Sequence, residues 1–243
     1  MMKRIRNQES GIRNWLIVFL LASCFLILDS NPAHAQSVDI LWQGETYTPP
    51  FYKGKTLWSN QSSINFVAIP QGLGSPANLD YKWTKNGTVL GNASGVGRNY
   101  LPFIDPILSR TQTIKVDIVS NEKGLLASAS VSVTPIPPTL VVYENNPLYG
   151  LMFHRETTGV HELQGREITF TAFPFFFSIL DRRDNTVGYE WQTNVEGVET
   201  RNSVTYRTPD NVSGSSPVSV RASNKDKIMQ SANQSFLIQF GEE

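Results

Sequence analysis

The 243-residue chain carries 21 basic and 21 acidic side chains, so its formal charge is zero and it lacks the cationic footprint expected of a nucleic-acid or anionic-membrane binder. A single cysteine, Cys24, excludes an intramolecular disulfide. The fold must therefore be held by packing, where small secreted domains often lean on disulfides.

Residues 1–35 read as a leader. Lys3, Arg4, Arg6 and Arg13 precede the uncharged run Trp15–Leu28. At 1.5 Å per residue that run covers roughly 21 Å, short of the ~30 Å hydrocarbon core of a bilayer. Asp29 and Pro32 end it, and Ala33-His34-Ala35 supplies the small-x-small pattern of a signal peptidase site, with cleavage before Gln36. Two alternatives stay open. Leu21-Ala22-Ser23-Cys24 matches a lipobox that would lipidate Cys24, and an uncleaved leader would act as an N-terminal anchor. Removing residues 1–35 leaves 17 basic and 19 acidic residues and no apolar run long enough to span a membrane.

The rest of the chain is written twice. Ile64, Phe66, Ala68 and Pro70 match Ile168, Phe170, Ala172 and Pro174, and Tyr81-Lys-Trp83 matches Tyr189-Glu-Trp191. Asn99 through Pro106 matches Asn202 through Pro209, Ile114-Lys-Val116 matches Val218-Ser-Val220, and Ser120-Asn121 matches Ser223-Asn224. This order predicts a domain over 36–135, a stiff linker at Ile136-Pro137-Pro138, and a second domain over 139–243. Within each copy the segments alternate apolar and polar residues, as half-buried strands do. In chain order these are INFVAIP, TIKVDIV and ASVSVTP, then ITFTAFP, PVSVRAS and SFLIQF. Asn86-Gly87 is a hairpin signature. The expected class is all-β: two tandem immunoglobulin-like antiparallel sandwiches after the leader.

The pattern Y-x-W-x-x-N-G over Tyr81–Gly87, after an alternating strand and before V-x-V and a terminal strand, resembles bacterial immunoglobulin-like or PKD-like surface repeats. The resemblance spans nearly all of the chain after the leader. It departs from antibody-type domains in lacking the inter-sheet cysteines, where Phe66 or Ala68 and Val116 or Ile118 stand, and in lacking a corner tyrosine. It implies a fold; function must come from a site.

Trp83 and Trp191, with Phe66 and Phe170, are read as core. His154 and His161, seven apart in a Gly/Thr-rich stretch, lack metal-ligand spacing and are read as solvated loop residues. Asp181-Arg-Arg-Asp-Asn185 is read as a polar turn, since it lacks the glycine and spacing of a calcium loop. The five sequon asparagines Asn60, Asn86, Asn92, Asn211 and Asn233 are read as turns. Tyr47, Phe51, Tyr52 and Trp58, and in the second copy Tyr143, Leu148 and Tyr149, either cap the open end of each sandwich or line a carbohydrate groove. No nucleophile elbow, phosphate loop or zincin motif is present, so neither catalysis nor a cofactor is expected.

One difference between the copies is sharp. After Pro70 the first continues as QGLGSPANLD, whereas after Pro174 the second continues as Phe175, Phe176, Phe177, Ser178, Ile179 and Leu180. A sandwich-end loop cannot readily bury five large apolar side chains in its own core. Exposed, they form a contact patch for another envelope protein or a second copy of the chain. Packed, they cover the second domain or reach the first. The expected function is an exported, non-catalytic envelope or cell-surface protein acting as a binding or spacer module. The alternative is a module binding cell-wall or external polysaccharide.

Overall fold

The computed structural model describes residues 35–104, 110–120, 122–163, 165–194, 197–208 and 212–241. Of the expected leader only Ala35 falls among them, so Cys24 and Ala33 lie outside the described residues. The first half contains β1 (Ser37–Gly44), β2 (Ser63–Gln71), β3 (Asp80–Lys85), β4 (Thr88–Val89), β5 (Gly95–Val96), β6 (Tyr100–Ile104), β7 (Gln112–Ser120) and β8 (Gly124–Val133). The second contains β9 (Thr139–Asn146), β10 (Gly150–Glu156), β11 (Gly159–Glu162), β12 (Glu167–Phe175), β13 (Val187–Gln192), β14 (Ser203–Arg207), β15 (Gly214–Asn224) and β16 (Ser231–Phe240).

In the first half one sheet runs β1-β2-β6 and the other β4-β3-β7-β8, with β5 also on β3. In the second half one sheet runs β10-β9-β12-β14 and the other β11-β16-β15-β13. Setting aside the short β4 and β5 of the first half and β10 and β11 of the second, the chain lays two strands in one sheet, crosses to the other for the Trp strand, returns for one strand, and crosses back for the last two. That sheet-switching order is immunoglobulin-like. All pairings among the named strands are antiparallel except β11 with β16.

Alternation explains why these segments are strands. On β2, Ile64, Phe66 and Ala68 are fully buried and the residues between them are not. On β7, Ile114, Val116 and Ile118 alternate in the same way. The β3–β4 turn places Asn86 at φ 49° and Gly87 at φ 84°, the two left-handed residues that a type I′ hairpin requires. Asn86 also accepts the Thr113 backbone N–H through Oδ1 at 2.8 Å, tying the turn to β7.

The halves share detail below the level of topology. The Trp83 indole N–H donates to the Arg98 carbonyl, and the Trp191 indole N–H to the Arg201 carbonyl, each at 2.8 Å. Ala68 N–H donates to the Asn99 carbonyl, and Ala172 N–H to that of Asn202, again at 2.8 Å. Trp83 sits opposite Val116 and Trp191 opposite Val220. Both tryptophans, Phe66 and Phe170 are buried in the two main apolar clusters. Two buried tyrosines, Tyr81 and Tyr189, tie the Trp strands to the preceding loops by donating to the carbonyls of Pro76 and Arg182.

The halves differ where the second inserts β10 and β11 between its first two strands. Those elements, with β1 and β9, add to the strands that alternation predicts. Of the sequon asparagines, Asn233 lies within β16 rather than in a turn, and Asn211 lies outside the described residues. Among the described residues no helix is long and apolar enough to cross a membrane.

Each Trp combines a large buried surface with a hydrogen bond to a fixed carbonyl. Trp83→Ala or Trp191→Ala is expected to cost about 3–5 kcal/mol, as large-to-small core changes do. Urea denaturation of the variants checks this, and a loss below about 1 kcal/mol at both positions would remove them from the core.

Candidate functional site

The phenylalanine run lies where the two halves meet. Along β12, Ile168, Phe170 and Ala172 point into the second core. Phe173 and Phe175 take the opposite face by strand alternation and belong to a separate apolar cluster with Tyr143 and Phe176. That cluster is completed by Phe51, Tyr52 and Leu57 from the first half and by Ile136. Phe51 stands edge-on to Tyr143, Phe173 and Phe175 at centroid distances of 5.7, 5.5 and 6.3 Å. Tyr52 does the same to Phe175 and Phe176, at 5.8 Å each. Edge-to-face pairs at this spacing add about 0.5–1.5 kcal/mol each beyond burial.

Phe176 is the hinge of this arrangement. Its φ is 63°, a left-handed conformation uncommon for a bulky side chain. The reversal turns Phe177 out of strand alternation and into the second core, where it is fully buried with Tyr47. Two backbone bonds hold the reversal in place. Phe176 N–H donates to the Tyr47 carbonyl at 2.8 Å, and Tyr47 N–H donates to the Phe177 carbonyl at 2.7 Å.

Of the two placements open to the run, the structure shows the packed one for all but its last residue. Phe175, Phe176, Phe177 and Ile179 are 7, 8, 0 and 8% exposed, and only Leu180, at 94%, faces solvent. The covering surface is residues 47–57 of the other half, which an estimate based on the second core alone does not include. The same finding revises the expected end-caps. Tyr47 packs in the core of the opposite sandwich and Trp58 in that of its own. At the β9–β10 turn Leu148 and Tyr149 stand exposed at 84 and 77%.

A buried amide fills the polar part of the junction. Gln230 is fully buried and its Nε2 donates to the Asn60 carbonyl and to Ser178 Oγ, both at 2.8 Å. Its Oε1 accepts from Ser178 N–H at 2.8 Å and from Asn224 Nδ2 at 3.1 Å. Ile136, the first residue of the expected linker, is engaged as well: its N–H donates to the Trp58 carbonyl and its carbonyl accepts from Asn60 N–H.

His161 is a buried strand residue and not a solvated loop residue. It lies on β11, with Nε2 3.3 Å from Glu144 Oε2 and its ring edge-on to Phe170. Burial holds its pKa below the ordinary histidine value, opposed by the Glu144 carboxylate. The Asp181–Asn185 turn is held by its own acids. Asp184 Oδ1 accepts from the Thr186 amide and hydroxyl, and Oδ2 from Leu180 N–H, which holds its carboxyl below the usual range. Asp181 Oδ1 accepts from Arg183 N–H. Among the described residues no group of three or more His, Cys, Asp or Glu could hold a metal ion.

No family model matches the sequence, and no curated protein matches it. Among solved structures the chain is similar to the fibronectin(III)-like modules of Clostridium thermocellum CbhA, with 15% identity and a TM-score of 0.29 over 84% of this chain and 93% of that one. It is also similar to the full ectodomain (Ig1–Ig3) of mouse nectin-like molecule 4, with 8% identity and a TM-score of 0.28 over 87% of this chain and 66% of that one.

The buried histidine predicts a pH dependence. Its folded pKa is depressed, so the unfolded chain binds the proton more readily. The contribution is fully present above the unfolded value of about 6.5 and is lost as pH falls through the folded value. The melting temperature is expected to drop between about pH 7.5 and pH 5.5, and to drop less in His161→Gln. An equal drop in both proteins would show that His161 does not contribute.

Proposed function

We propose that residues 36–243 are two copies of one duplicated immunoglobulin-like unit. In this proposal they are exported by the 1–35 leader and act without catalysis as a rigid binding or spacer module for another component of the cell envelope. The observation that carries the proposal is the junction. Interfaces between domains of one chain are commonly polar and permit relative motion. Here an aromatic cluster, a reciprocal backbone pair and a buried amide join the halves, and residues 37–243 form one compact unit. Two sandwiches locked in one orientation hold whatever attaches at their ends at a set separation. The matched sequence blocks and the paired Trp and Ala hydrogen bonds support duplication.

Phe51→Ser with Phe175→Ser opens the junction from both sides while leaving the two main cores intact. The variant is expected to lose at least about 3 kcal/mol of stability. Small-angle scattering should change from one compact distance distribution to a broadened one, and the native envelope partner should copurify in lower yield. An unlocked variant that kept both the sharp distribution and its partner would refute the rigid module.

Export has its own check. Mass spectrometry of the chain recovered from its native cell is expected to place the N-terminus at Gln36. A diacylglyceryl group on Cys24 would make the protein a lipoprotein instead, and an intact leader would make it N-terminally anchored.

A further inference from the structure

The second half carries a concave surface whose first-half counterpart lacks its charge. Two segments bound it, residues 182–185 after the phenylalanine run and residues 199–205, which run into β14. It encloses about 640 Å³, within the range of ligand sites. Both rims are fixed from beneath by buried side chains of β13. The Tyr189 hydroxyl donates to the Arg182 carbonyl at 2.7 Å, and the Trp191 indole N–H donates to the Arg201 carbonyl at 2.8 Å. The Arg182 guanidinium is further placed over the Phe173 ring, 4.6 Å from its centroid.

Arg182, Arg183, Arg201 and Lys225 line this groove against two carboxylates, Asp184 and Glu199. Asp184 is engaged by backbone amides and Thr186, and Glu199 pairs with Arg201 at 3.4 Å. Lys225 Nζ donates to the Asn185 carbonyl. Among the described residues neither Arg182 nor Arg183 has a carboxylate partner. In a chain with equal numbers of acids and bases this is a local cationic excess, and it lies in a hollow rather than on a flat face. Thr200, Asn185 and Asn202 add hydroxyl and amide groups to the wall. In the first half the matching loop, QGLGSPANL, has no basic residue. There Arg98, the counterpart of Arg201, is spent on the Asn92 carbonyl.

We propose that this groove binds an anionic glycopolymer: its arginines take carboxylate or phosphate groups through their planar forks, and its hydroxyl and amide walls take sugar or polyol hydroxyls. The proposal is independent of the rigid-module function, since a locked pair of sandwiches does not need this groove occupied.

Affinity electrophoresis of the chain from Gln36 onward tests it with three probes: polygalacturonate, poly(glycerol phosphate) and neutral dextran. Retardation by a charged polymer, weakened by added salt, is expected, with none by dextran; the retarding polymer identifies whether carboxylate or phosphate is recognised. Arg183→Glu with Arg201→Glu should weaken binding at least about tenfold while leaving the melting temperature within a few degrees of the parent. Lys82→Glu with Lys123→Glu, which makes the same change in net charge at exposed sites of the first half, should leave binding intact. The proposal fails if neither charged polymer binds, if dextran binds equally, or if the groove variant binds undiminished. It also fails if both charge reversals weaken binding alike.

Discussion

Two backbone hydrogen bonds between Tyr47 and the Phe176–Phe177 pair set the architecture. Strand alternation alone would send Phe177 to the same outer face as Phe173 and Phe175. The left-handed turn at Phe176 breaks the alternation, so that Phe175 and Phe176 enter the inter-sandwich cluster and Phe177 enters the second core. Such a conformation is costly for a bulky residue and persists where its surroundings over-determine it. Here the surroundings are the reciprocal bonds from Tyr47 and the rings of Tyr52 and Phe175, both edge-on to Phe176. The strain is thus supported by a segment of the other half, and the two sandwiches are coupled through their backbones as well as their side chains.

Gln230 complements this arrangement on polar terms. A fully buried amide is tolerated only when its donors and acceptor are met. Ser178 meets both ends of it, Asn224 adds a donor, and the Asn60 carbonyl from the first half takes its N–H. The apolar cluster rewards any close approach of the two surfaces, whereas these hydrogen bonds are satisfied in one relative placement. Orientation is therefore specified by directional contacts and stabilised by non-directional ones.

The fold was legible in the sequence to the depth at which local pattern decides it. Ile64, Phe66 and Ala68, or Ile114, Val116 and Ile118, announce a buried face by their spacing, and Asn86-Gly87 announces its turn. Placement of the phenylalanine run was not legible, because its cover comes from Phe51 and Tyr52, more than a hundred positions away. Phe173 shows the division well: alternation puts it on the outer face of its sheet, as expected, yet it is 1% exposed because another segment lies over that face. His161 escaped for a similar reason. The short β11 shows little alternation, and the cover on His161 comes from Glu144 and Phe170, residues distant enough in the chain that its local pattern does not show them.

Each half carries its own loop before the Trp strand, and the two loops differ in their side chains. The paired Trp and Tyr hydrogen bonds persist in both halves because they anchor loops to the Trp strand, whatever those loops contain. Once anchored, a loop can change its side chains without losing its place. In the first half the loop before β3 stays short of charge and leads directly into the sandwich. In the second, the corresponding loop begins with the phenylalanines that lock the junction and ends with Asp181–Asn185, which forms one rim of the basic groove. A single divergent segment thus serves both surfaces, and Arg182 joins them physically: its guanidinium rests on Phe173 of the junction while its carbonyl is held by Tyr189 at the groove. The apolar packing that fixes the two sandwiches relative to each other also orders a groove-lining arginine from below, so the stability of one surface becomes the preorganisation of the other.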